Sequence, residues 1–349
     1  MEKMKKIKRI SRSSFNRLPD EIVLEILSKL TDLKTLCICR LVSRRFFFIV
    51  VKIDAISYTA PLVNPSYLDL DITGNGGFTK KLFWYFINGV FLKPLNLLCS
   101  MLTAGSNASR PPVVPIYGQS FVSALWSLMR FRGLKYLSIE LPDSGHQGVD
   151  DRSLFKWMVR FGTRLESYVF LWPNSVCDSN GLHVNGNGDG VGGEEEGIAL
   201  RMKKVNVGIK CVMDVLVRRR MLLGLVCNFP LLERVCITDS GKRGRVSLSG
   251  GEVGKVRDWL FSSSETPVGR MNIMDFPGST SEYHVPILHL PVSGFVMKGI
   301  TLVVVDRGNL EGGNDSFVNE DEDGFGDEME AVYSEAVMEI LKSQRGRLF

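Results

Sequence analysis

The chain has 349 residues, 44% hydrophobic and 23% charged, the composition of an ordinary globular protein with room for one large or two moderate domains. Lys3, Lys5, Lys6, Lys8, Arg9 and Arg12 face only Glu2 in the first twelve positions; from totals of 43 basic and 38 acidic residues this leaves 37 of each, so the net charge of +5 belongs to the N-terminus. A neutral body argues against nucleic-acid binding, and the lack of an apolar run near 18 residues argues against a membrane span.

Residues 1–12 read as a flexible basic terminus without the apolar stretch of a signal peptide, which leads us to expect a protein of the nucleus, the cytoplasm or both. Lys5-Lys6-Ile7-Lys8-Arg9 reads either as a nuclear import signal or as a solvated end.

The next stretch, Phe15 to Phe46, predicts a set of short helices. Pro19 suits the start of a helix because its φ is preset and its missing donor would have no partner there, and Asp20 and Glu21 complement the positive end of the helix dipole. Ile22, Val23, Ile26, Leu27 and Leu30 recur at three- and four-residue intervals along one stripe. Thr31-Asp32 stops this helix and caps a second, which carries Leu33, Leu36, Cys37, Leu41 and Val42; Ser43 caps a third with Phe46, Phe47, Ile49 and Val50. So short a unit cannot bury all these faces alone, so part of the stripe must meet the rest of the chain or a partner.

The phrases L-P-D-E-I-x-x-x-I-L-x-x-L and C-R-x-V-S-R-R-F, in this order over residues 13–55, resemble the F-box, the helical module by which substrate receptors join the Skp adaptor of cullin-based ubiquitin ligases. Phe46 stands where many members carry Trp. The resemblance implies an adaptor-binding surface at Leu18, Pro19, Ile22, Ile26, Leu27, Leu30, Val42 and Phe46, and through the Skp-type adaptor a link to cullin. W-S-L-M-R-F-R-G-L-K-Y-L-S-I-E-L-P and V-R-R-R-M-L-L-G are further similar to a plant F-box group with auxin-responsive members.

Beyond residue 60 helical segments alternate with short strands. Phe121 to Phe131 precedes Leu134 to Leu141, Arg152 to Phe161 precedes Leu165 to Leu171, and Val212 to Phe229 precedes Leu231 to Thr238; a short helical stretch ending at Phe261 comes well before a strand from Phe295 to Val305. Val205 to Cys211 reads as an atypical unit. The shared helix, break and Leu-x-x-Leu/Val-x-Ile/Phe-x-Leu phrase predicts a degenerate leucine-rich-repeat-like array over 61–307, and a non-repetitive α/β domain with a parallel sheet fits the same alternation. The fold expected is thus mixed α/β, α+β or α/β in class, with a small helical F-box leading an irregular repeat-like region. On such an array the exposed strand face is the natural place for a protein substrate, with Lys135, Glu140 and Arg234 as its expected contacts.

Residues 174–197, rich in Gly, Asn and acid, predict a flexible insertion; the segment lacks the Lys-Ser or Lys-Thr of a phosphate cradle, and Ser249 to Val256 is a similar near-miss. Residues 308–329 read as an acidic disordered loop before a final helix, 330–349. Asn319, Asp321, Asp323, Gly324, Asp327 and Glu330 approach the pattern of a calcium loop, but Gly326 replaces its apolar anchor and no entering helix precedes it. Seven scattered cysteines read as reduced thiols, and the four histidines stand in no catalytic or metal-binding context. No catalytic residue, cofactor, metal, nucleic acid or membrane partner is expected. Arg218-Arg219-Arg220 reads as the wet side of an apolar helix or as a grip on an acidic substrate. The function expected is that of a non-catalytic substrate receptor of an SCF-type ligase, as the resemblance implies; the alternatives are a repeat-scaffold binding protein outside any ligase and an unrecognised α/β enzyme.

Overall fold

The computed structural model describes residues 17–61, 118–142, 154–178, 183–185, 194–262, 279–306 and 328–345. Three helices open it: α1 (Asp20–Ser28), α2 (Leu33–Val42) and α3 (Arg44–Val50). Both inner boundaries are capped as the residue types require. The Asp32 carboxylate accepts from the Thr35 N–H and hydroxyl at 2.8 and 2.7 Å, and the Ser43 hydroxyl accepts from the Phe46 N–H at 3.2 Å. Arg45 ties α3 back to the start of α1, donating to Asp20 Oδ1 at 2.7 Å and to the Leu18 carbonyl.

Strand β1 (Ala55–Thr59) follows, then α4 (Gly118–Leu128), β2 (Tyr136–Leu141), β3 (Lys156–Phe161), β4 (Leu165–Trp172), β5 (Ser175–Cys177) and β6 (His183–Asn185). The 35-residue α5 (Glu194–Asn228) leads to β7 (Arg234–Asp239), β8 (Arg245–Ser249) and α6 (Gly251–Phe261); β9 (Ser279–His289), β10 (Val296–Asp306) and α7 (Glu328–Arg345) complete the order. The strands form two sheets. The first has the order β1-β2-β7-β8, with β1, β2 and β7 parallel and β8 returning antiparallel. The second is antiparallel, in the order β3-β4-β10-β5-β6, with β9 on the other side of β10.

The mixed α/β character expected from the alternation is present, but a single repeat-like array is not what the described residues form. Only β1, β2 and β7 stack in parallel with helices leading into β2 and β7. The Leu165 to Leu171 and Phe295 to Val305 strands, expected to continue that stack, pair with each other antiparallel in the second sheet. Their composition explains the difference. Tyr168, Phe170 and Trp172 face one core while Val169 and Leu171 face another, and Val303 and Val305 alternate with Leu302 and Val304 in the same way. Strands buried on both faces read as continuous apolar runs, which carry no information about their neighbours.

Four further expectations are corrected. The span Arg152 to Phe161, expected to be helical, carries β3 in its described part, held to β4 by antiparallel pairing. The supposed insertion 174–197 contains β5, β6 and the first turn of α5, and Val205 to Cys211 lies inside α5. Arg218, Arg219 and Arg220 are buried, because α5 runs between the two sheets and has no wet side at that turn. The basic terminus, the acidic segment up to Asp327, Cys99 and His146 lie outside the described residues.

The three opening helices share one core with the first sheet. Val23, Leu27, Leu33, Leu36, Ile49 and Val50 belong to the same cluster as Ile56, Phe121, Leu125 and Leu137. Arg40, also buried, lays its guanidinium 4.7 Å from the Phe47 ring centre and 5.7 Å from that of Phe131. Ser57 donates its N–H to the Thr31 carbonyl at 2.8 Å, so the α1–α2 turn adds a one-residue bridge to the outer edge of β1.

Candidate functional site

Two surfaces stand out. The first is made by the outward sides of α1, α2 and α3. Along α1 the wide apolar stripe splits: Val23 and Leu27, four residues apart, face the core, whereas Ile22, Ile26 and Leu30 are exposed. Pro19 is exposed beside them, and Leu18 is partly buried against the core. On α2, Ile38, Leu41 and Val42 point outward, with Leu41 and Val42 86% and 66% exposed. On α3, Phe47 and Phe48 are exposed and meet edge to face at 5.5 Å, while Phe46 is partly buried against the core. Of the residues expected at an adaptor surface, Leu27 is excluded from it by burial at 3% exposure, and Phe46 offers only part of its ring. Ile38, Leu41, Phe47 and Phe48 were missed, and their signal was present: an apolar residue on both sides of a short helix leaves one side without a core.

The second surface is a cleft of about 920 Å³ over the first sheet. Strand alternation builds it. Ile56, Leu137, Val235 and Leu248 point into the core, and their sequence neighbours point to the opposite face. The register lines up Ser57, Ser138, Cys236 and Ser247 in one row across all four strands, flanked on one side by Ala55, Tyr136, Arg234 and Ser249 and on the other by Glu140, Thr238 and Arg245. The middle row is small and polar, which is why the face stays open. Trp157 of β3 and Tyr333 of α7 stand on the opposite wall.

The β7–β8 turn forms one rim of the cleft and is tightly braced. Asp239, itself buried, accepts the Arg243 N–H at 2.7 Å and places its other oxygen 3.5 Å from Arg218, whose guanidinium lies 5.1 Å from the Trp157 ring centre. Trp157 donates its N–H to the Arg243 carbonyl at 2.9 Å, and Gly244 packs so close that a Cβ there would lie 2.3 Å from the Trp157 ring. Lys242 holds a left-handed φ of 51°, a conformation unusual for a residue with a side chain. Glu140 and Arg234, expected to touch substrate, both line the cleft. Lys135 lies outside the lining, in a surface ion pair with Glu233 at 2.7 Å; Glu233 also accepts from the Tyr136 hydroxyl at 2.9 Å, and these two partners hold its carboxyl below the usual carboxylate range.

Among the described residues no group of three or more His, Cys, Asp or Glu is placed to hold a metal ion, and no helix is long and apolar enough to cross a membrane. Glu330, expected at the end of a calcium-loop-like stretch, sits on α7 3.4 Å from Arg245.

Residues 15–54 match the F-box-like family model, a span that contains α1 to α3 and their caps. The chain thus carries an F-box-like domain at its N-terminus. Its homologues include F-box proteins of Arabidopsis thaliana at modest identity: F-box protein At5g46170 is 26% identical over 83% of this chain and 82% of its own length, and F-box protein AUF1 is 26% identical over 96% of this chain and 98% of its own. F-box protein AUF2 is 25% identical with the same coverage. No solved structure matches the chain.

Proposed function

We propose that the protein is a non-catalytic substrate receptor of an SCF-type cullin ubiquitin ligase, bridging a Skp-type adaptor through α1 to α3 to a protein substrate held by the body. The observation that carries this reading is the exposed apolar set Ile22, Ile26, Ile38, Leu41, Val42 and Phe48 within a domain of F-box-like sequence. Large apolar side chains clustered at a surface mark an interaction site, and desolvating them is the main driving force of association. Leu18, Pro19, Leu30 and the open part of Phe46 complete the adaptor surface, and cullin is reached through the adaptor. The receptor contributes proximity: a substrate lysine held near an activated ubiquitin gains effective concentration without any bond chemistry by this chain. Such a complex would work in the nucleus, the cytoplasm or both.

Tagged full-length protein isolated from cells tests the reading. The wild-type chain should bring down a Skp-type adaptor and cullin, and Leu41→Asp with Val42→Asp should bring down neither at unchanged expression. Absence of both partners from the wild-type sample would overturn the proposal.

A further inference from the structure

We propose that the cleft over the first sheet binds an extended, acidic segment of a partner protein. This inference rests on the receptor reading above and gives its substrate a chemistry.

Three observations carry it. The charge of the lining is biased: Lys156, Arg234, Lys242, Arg243 and Arg245 stand against Glu140, Asp239 and Glu330, although the chain beyond residue 12 is neutral. Pairing removes a cation with each carboxylate it removes, Asp239 with Arg218 and Glu330 with Arg245, so the lining keeps its excess of cations. A ligand entering the cleft therefore meets a positive field in which low-dielectric walls strengthen attraction to carboxylates.

The shape of the floor sets the form of the ligand. The row of Ser57, Ser138, Cys236 and Ser247 crosses four strands, a span of about 14 Å at the usual strand spacing, which accommodates about four residues of extended chain. The three hydroxyls of that row suit the polar groups of a peptide backbone, and the small size of all four side chains leaves the depth for it. The cleft volume of about 920 Å³ falls within the range of sites that enclose a ligand of this size.

The third observation is preorganisation. Lys242 and Arg243 are held by the braced turn, with the Lys242 N–H on the Asp239 carbonyl at 3.1 Å and the Arg243 carbonyl on Trp157. A turn already fixed at left-handed φ loses little freedom when a ligand arrives, so more of the electrostatic gain appears as affinity. Glu140, on the flank of the row opposite Ala55, repels a carboxylate placed beside it and so favours acidic side chains on the Arg234 side of the row.

Fluorescence anisotropy on the full chain tests this with three labelled octapeptides, alternating Gly with Glu, Gln or Lys. The Glu peptide should bind at least tenfold more tightly than the Gln peptide, and the Lys peptide should not bind. Arg234→Gln with Lys242→Gly should weaken the Glu peptide at least tenfold at an unchanged melting temperature; glycine at 242 removes the cation without forcing φ. Both proteins carry the same basic terminus, so the difference reports on the cleft. If the double variant folds poorly, Lys156→Gln alone should lower affinity in the same direction. Equal binding of the Glu and Gln peptides, or equal binding by wild type and variant, would overturn the inference. So would tighter binding of a uridine octanucleotide sensitive to the same substitutions, since the cleft would then be a polynucleotide site. Adaptor capture is read separately: its loss in the wild-type chain counts against the ligase reading, whereas peptide failure with capture intact counts against the cleft alone.

Discussion

Ile26 and Leu27 occupy successive positions of α1 and have opposite environments, one exposed and one buried against the shared core. Leu27→Ala should destabilise the protein by about 2–5 kcal/mol, through lost burial and the cavity left behind, whereas Ile26→Ala should stay within about 0.5 kcal/mol in a chemical-denaturation titration. If the two substitutions cost the same, the division of the stripe is wrong. Periodicity alone placed both residues on one face, because a stripe at three- and four-residue intervals is wide enough to have an inner and an outer side. Which side was inner depended on α3, a partner that the local sequence does not name. Lys204 is a second residue whose role was invisible in sequence. It is buried on α5, donates to the Gly299 and Trp172 carbonyls at 2.6 and 3.1 Å, and burial pushes its amine down to about 8. Between that value and the ordinary 10.5 the unfolded chain holds a proton that the folded one has released, so stability rises with pH across this window. Relative to Lys204→Met, the wild-type protein should gain about 2 kcal/mol between pH 8 and pH 10 in denaturant titrations. A constant difference would mean that the amine is not desolvated.

At the scale of elements, the ones legible in the sequence were those with one wet face. Strands β2 and β7 alternate between core and cleft, so Leu137 and Ile139, Val235 and Ile237 announced both the strands and the face that Glu140 and Arg234 share. The caps at Asp32 and Ser43 announced α2 and α3, because only a short oxygen-bearing side chain satisfies the free N–H groups there. Asp32→Ala should cost about 1 kcal/mol. The Thr35 bonds hold the Asp32 carboxyl below its ordinary range, so the cap contributes above the unfolded value and is lost as pH falls through the lowered one; the penalty should shrink in acid melts. A penalty that does not change with pH would show that the charged form is not what caps the helix. Strand β3 and the N-terminal part of α5 were illegible for a different reason. Both carry apolar residues compatible with either period, and pairing with β4 in one case and packing against the second sheet in the other decides between them. Edge strand β9 carries Pro286 and opposes the left-handed Gly299 of β10, a pairing that no local pattern contained.

Over the whole molecule, the adaptor-like face and the cleft belong to one packed body. The opening helices and the first sheet share a single core, Arg40 is clasped between Phe47 and Phe131, and the α1–α2 turn is bonded to β1. A fragment ending near residue 55 would lose the part of the shared core supplied by Ile56, Phe121, Leu125 and Leu137, so it should be poorly folded on its own, and circular dichroism of residues 13–55 should lack a cooperative melt. A cooperative melt of that fragment would mean that the shared core is dispensable. This rigidity gives the proposed receptor its geometry, since a substrate in the cleft would be held at a constant distance and orientation from an adaptor on α1 to α3. The central claim is that the outer faces of those helices bind the adaptor, and calorimetric titration of a purified Skp-type adaptor into the full-length protein tests it most directly. The account predicts one site on the wild-type chain, at least a tenfold weaker interaction for Ile22→Asp with Ile26→Asp, and the same melting temperature for both proteins. Equal affinity of the two proteins, or no heat of binding with the wild type, would contradict it.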